Sequence, residues 1–210
     1  MVAMFNRFCA TLALAILVSG CALTEDTVSL QYSKMPGITE LPSASKLRVE
    51  VVASDARVEH QDRVSVKKNG YGMEMAAIRS DRDVVALVRE SIEAELQSRG
   101  FKTESGGSRV KVEVMKFYND FKVGFFSGDA VAEVLLNIQV VGMDGRILFS
   151  KPVSSTGKNE DVLLANGSNA KAALENGLQV AVANLMSDRD FVNAIFASGG
   201  RKSPAVKPMS

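Results

Sequence analysis

Apolar side chains recur at every second position in several stretches of the chain and at helical spacing in others. In "KLRVEVVA" (46–53), Leu47, Val49 and Val51 share one face, which predicts a strand. "RVSVKKNGYGMEMAAI" (63–78) has alternating valines, then Asn69-Gly70, then a second apolar stretch, the signature of a hairpin. From Asp81 to Arg99 the period lengthens: Val85, Val88, Ile92 and Leu96 form the stripe of an amphipathic helix, and Gly100 stops it. A short strand is expected near Phe101. Alternation returns in "RVKVEVMKFY" (109–118), in "DAVAEVLLNIQVVG" (129–142) and, after Asp144-Gly145, in "RILFSKPVSST" (146–156). These three strands predict an antiparallel meander with one buried face. A last helical region starts near Ser168, with Leu174, Leu178, Ala181 and Leu185 as its stripe, followed by a short helix carrying Phe191, Ile195 and Phe196. Gly177 interrupts the longer helix at a cost of about 1 kcal/mol relative to alanine, which close packing would explain. Striped helices and a one-faced sheet satisfy each other. The expected fold is α+β, a two-layer sandwich of a mainly antiparallel sheet with helices packed on one face.

The ends of the chain break this pattern. Arg7 precedes the apolar run "FCATLALAILV" (8–18), then small residues and Cys21, so residues 1–20 read as a secretory leader whose apolar run of about 11 residues is too short to span a bilayer. "VSGC" (18–21) resembles the bacterial lipobox, with Val18 where leucine is usual. The resemblance implies cleavage before Cys21, lipidation of its thiol and amine, and an outer-membrane address, since Ala22 stands where an inner-membrane retention signal would have aspartate. Residues 21–45 show no period and contain Pro36, Gly37 and Pro42, so they are expected to be the lipidated cysteine and a flexible tether of about 25–30 Å. Residues 46–197 form the single domain. Residues 198–210, with two glycines, two prolines and three basic residues, are expected to be a disordered basic tail.

Charge adds little. The 210 residues carry 25 basic and 24 acidic side chains, and loss of Arg7 with the leader balances them. Nothing points to nucleic acid as a partner. Chemistry is also sparse. Cys9 leaves with the leader and Cys21 is expected to be lipidated, so no thiol remains for catalysis or a disulfide. His60 is the only histidine and lies in a polar loop, where it reads as a solvated side chain. Neither a metal, a cofactor nor a catalytic residue is expected. "SDRD" occurs at 80–83 and at 187–190, each before a helical pattern. It reads as a capping box with Ser80 and Ser187 as caps, Asp83 and Asp190 three residues on, and Asp81 and Asp188 favourably placed in the first turn. Phe125 and Phe126, between two strands, are the candidate contacts with a partner or with lipid.

Several pieces in order and spacing resemble the YajG family of bacterial lipoproteins: "DAR" at 55–57, "SDRDVVALVRESIEAELQSRGFKTE", "VKVEVMKFYNDFK", "AVAEVLLNIQVVGMDGRILFSKPVSSTG" and "MSDRDFVNAI". The resemblance implies an envelope lipoprotein without assigned activity or catalytic residues. Two functions follow as expectations. One is a membrane-anchored interaction module, held by its lipid on Cys21, that binds an envelope protein or glycan. The other is a carrier of a hydrophobic molecule, which would need a cavity between Ile92, Leu136 and Leu178.

Overall fold

The structure is a computed structural model and describes residues 23–124 and 127–199. Strands are β1 (Asp26–Val28), β2 (Val49–Asp55), β3 (Ser65–Lys68), β4 (Glu74–Ser80), β5 (Ser108–Val123), β6 (Gly128–Val141) and β7 (Ile147–Val162). Helices are α1 (Val84–Ser98), α2 (Gly167–Ser187) and α3 (Arg189–Ser198), with a single 3-10 turn at Ala44–Lys46. The fold is α+β, as the periodicities predict.

Its strands form two sheets rather than one, ordered β2-β5-β6-β7 and β1-β4-β3. The meander β5-β6-β7 is antiparallel throughout. β2 lies parallel to β5, because the connection between them passes through α1 and returns the chain in the same direction. The expected strand near Phe101 is a single bridge, Arg48 to Lys102. β2 covers only the first half of β5, up to Val114, where β5 has a register shift. Beyond it, the hairpin of β3 and β4 takes over the edge: the Asn119 amide donates to the Val64 carbonyl at 2.8 Å, and the Asn119 side chain donates to Ser65 Oγ at 2.9 Å.

Every second residue of β6 from Ala130 to Val140 is buried, and the intervening ones face outward. α1, α2 and α3 pack on the buried face in one continuous apolar core. α2 lies unusually close to β7. A Cβ at Gly157 would stand 2.1 Å from the Ala173 carbonyl oxygen and 2.2 Å from the Gly177 amide. Ser155 Oγ donates to the Gly177 carbonyl at 2.7 Å across the same contact. Gly177 therefore serves close packing, as its position inside a helix suggested.

Residues 23–45 are not a free tether. β1 pairs in parallel with β4, Val28, Leu30 and Ala44 are buried, and the Leu41 amide donates to the Arg99 carbonyl. The stretch lacks a period because it contributes isolated apolar residues between turns, and a chain pinned at single points leaves no periodic signature. At the other end α3 runs to Ser198, and the expected basic tail from residue 200 onward lies outside the described residues.

Candidate functional site

Each acidic motif is structural, in a register different from the expected one. In the first copy Asp83, not Ser80, is the N-cap of α1: its Oδ1 accepts from the amides of Val85 at 2.7 Å and Ala86 at 3.1 Å. Ser80 Oγ instead accepts from the Arg82 amide in the preceding turn. In the second copy Ser187 ends α2, and Asp188 is the residue that closes α2 and caps α3, accepting from the amides of Asp190 and Phe191. Lys151 of β7 reaches both Asp188 and Asp190, at 3.2 and 2.8 Å. Burial alone would raise the Asp188 carboxyl, but Lys151 and the two capped amides hold it below the usual range. Aspartate caps both because it, and not the serine, directly adjoins the first helical residue, from where its carboxylate reaches the N2 and N3 amides.

"DAR" at 55–57 is likewise a loop fastener. Arg57 is buried and grips Asp55 through two nitrogens, at 2.9 and 2.7 Å, while donating to the carbonyls of His60 and Gln61. His60 is held in the left-handed region at φ 57° and stacks on Tyr118 at 4.1 Å, so it is half-buried packing rather than a fully solvated side chain. Among the described residues, no cluster of three or more His, Cys, Asp or Glu side chains is arranged to hold a metal.

The most unusual polar group is Glu95, which is fully buried on α1. Its Oε1 accepts from the Tyr32 hydroxyl at 3.0 Å and from the Met35 amide at 2.8 Å, and its Oε2 from Arg99 Nη1 at 2.8 Å. Burial, then the charge of Glu95, pushes the Tyr32 phenol above its ordinary range, so it stays a donor. This clasp was not foreseen from the sequence. Its sequence signal was faint: a Glu-Arg pair at i and i+4 on the apolar side of a helix. The N-terminal segment is tied at further points. Arg82 donates to the Leu30 carbonyl, and the Gln31 amide donates to Glu175. Asp26 pairs with Lys67 at 2.7 Å and accepts from the Gly167 amide at the start of α2 at 2.8 Å.

Apolar groups are exposed at the end of the domain where β3 turns into β4 and β5 into β6. Tyr71 and Met73 at the hairpin tip and Leu163 and Leu164 before α2 are 91%, 58%, 82% and 66% exposed. Asn69 Oδ1 shapes the tip by accepting from the amides of Tyr71 and Met73. A cleft of about 380 Å³ runs between the tip and the loop, lined by Lys68, Gly70, Phe121, Leu163 and Leu164 among others. Phe125 and Phe126 lie outside the described residues; their flanking neighbours Gly124 and Ser127 line this cleft. Cys21 also lies outside the described residues. By contrast Ile92, Leu136 and Leu178 are all fully buried in the one core. No helix among the described residues is long and apolar enough to cross a membrane.

Residues 34–195 match the model of a family described as "Uncharacterized lipoprotein", and the chain belongs to that family. This agrees with the resemblance to YajG-family lipoproteins. No curated protein matches the sequence. Among solved structures, a protein from Xanthomonas campestris is similar with a TM-score of 0.53 at 13% identity, over 77% of this chain and 92% of that one. A minor lipoprotein from Acinetobacter baumannii is similar over 75% of this chain and 97% of its own, at 7% identity and a TM-score of 0.38. The first likeness speaks to the fold alone.

Proposed function

We propose that this protein is a non-catalytic interaction module of the bacterial cell envelope, anchored by lipid on Cys21 in the outer membrane with its domain in the periplasm. Its partner is an envelope protein or glycan, met on the surface of the domain, with Phe125 and Phe126 among the proposed contacts. The observation that carries this reading is the contrast between fully buried Ile92, Leu136 and Leu178 and the exposed apolar loops. A carrier would need space between the helices and the sheet, and there the backbones of Gly157 and Gly177 approach so closely that not even a methyl group fits at Gly157. Apolar side chains that find no place inside are instead displayed by Tyr71, Met73, Leu163 and Leu164, as on a surface that docks. Crosslinking in intact envelopes, followed by identification of the bound proteins, glycans and lipids, tests it. Recovery of a specific protein or glycan is the expected result. Recovery of a stoichiometric lipid from inside the domain would favour the carrier instead.

A further inference from the structure

The exposed apolar loops and the path of the N-terminal segment converge on one end of the domain. Because β1 is parallel to β4, following β1 backward from Val28 to Asp26 leads toward the start of β4, where the hairpin tip carries Tyr71 and Met73. Asp26 also touches the start of α2, and the loop just before α2 carries Leu163 and Leu164. Cys21 precedes Asp26 by five residues, which span at most about 17 Å. Since β1 and the segment after it are fastened to the domain, no longer tether intervenes.

We infer that Tyr71, Met73, Leu163 and Leu164 insert into the surface of the bilayer that holds the anchor, so that the domain stands on the membrane in one orientation. The inference rests on lipidation at Cys21 and adds what the domain itself does there. Distance selects this end over the other. β6 has 14 residues and spans about 45 Å, from the cleft to the turn that bears the exposed Met143. An anchor reaching about 17 Å cannot bring that far turn to the lipid while β1 stays paired. Composition fits as well. Tyrosine sits at the headgroup level, and leucine enters the boundary between headgroups and acyl chains. The nearby Lys68 and Lys122 share Asp120, and Asp129 lines the same cleft, so two acids balance these two lysines among the described residues. Insertion is therefore apolar and insensitive to salt, unlike attraction to anionic lipid. The anchor keeps the loops at high effective concentration near the membrane, so a modest docking energy is enough to orient the domain.

The full-length precursor, processed in cells and reconstituted into vesicles of phosphatidylethanolamine and phosphatidylglycerol, provides the test. Leu163→Cys and Met143→Cys each add one thiol at an exposed position, so neither substitution touches the core. An environment-sensitive label at position 163 should lose most of its fluorescence to brominated acyl chains, unchanged in high salt, while a label at 143 should lose little. Equal, weak quenching at both positions with an acylated Cys21 overturns the docking and leaves the anchoring intact. An unacylated Cys21 by mass spectrometry overturns both. A label at 163 that is unquenched yet crosslinks to an envelope protein in cells assigns this end to a protein and overturns the inference.

Discussion

The Tyr32 hydroxyl donates to the carboxylate of Glu95 at 3.0 Å, joining a proline-containing N-terminal segment to the buried face of the last turn of α1, 63 residues away. Removing that donor by Tyr32→Phe leaves Glu95 with the Met35 amide and Arg99, and a hydrogen bond to a charged group contributes about 1.5–3 kcal/mol. Glu95→Ala goes further: it strands the largely buried Arg99 and should cost about 3–5 kcal/mol. Both changes are expected to speed tryptic cleavage after Lys34, which sits next to the pinned Met35 amide. Denaturant melts and timed proteolysis read the two effects. A Glu95→Ala protein as stable as the parent would show that the clasp is not a fastening.

Aspartate rather than serine caps the helices, so the two acidic motifs make an ordered prediction. Asp83→Ala and Asp188→Ala should each destabilise by about 1 kcal/mol or more, and Ser187→Ala by much less. Asp188→Ala should exceed Asp83→Ala, because it also removes a partner of Lys151. Urea unfolding midpoints of the three variants settle the order.

Gly157 and Gly177 face each other, but a side chain is tolerated unequally. Gly157→Ala drives a methyl into the backbone of α2 and should cost about 3 kcal/mol or prevent folding, whereas Gly177→Ala meets its nearest neighbours at 3.3 Å and should be milder. Comparing their thermal midpoints, with soluble yield as the fallback for Gly157→Ala, tests how closely the layers meet.

Acid should loosen the N-terminal segment. Burial alone would raise the Asp26 carboxyl, but Lys67 and the Gly167 amide hold it below the usual value, and Asp188 and Asp120 are depressed in the same way by their lysines. A carboxyl with a lowered folded value stabilises the fold above its unfolded value of about 3.9 and loses that contribution as pH falls through the folded value. Thermal midpoints should therefore be nearly flat from neutral pH to about 5 and decline below about 4. The gap between the parent and Asp26→Asn should be widest at neutral pH and narrow toward acid.

The regular elements were legible because each buries one face. Val110, Val112 and Val114 alternate, and Ile92 and Leu96 return every fourth residue, so the meander and the helices followed from spacing. The division into two sheets was not legible, since the alternation of Val49 and Val51 says which face is buried but not which strand lies beside it. The N-terminal segment was misread as a tether for a related reason: Leu30 and Ala44 are buried one at a time, and the Glu95 clasp is a contact across 60 residues that no local pattern encodes. The caps were found in the right places but assigned to the wrong residues, because "SDRD" offers three side chains able to cap and only the helix start decides among them. Of the surface, Phe125 and Phe126 were the legible candidates and lie outside the described residues, while Tyr71, Leu163 and Leu164 read as ordinary turn and loop positions.

The account depends most on Cys21, and intact-protein and N-terminal peptide mass spectrometry of the membrane-extracted protein addresses it directly. The predicted result is a chain that starts at Cys21 and carries the added mass of its acyl chains, with Cys21→Ser lacking that mass. A mature protein that starts elsewhere, or an unmodified Cys21, would contradict it.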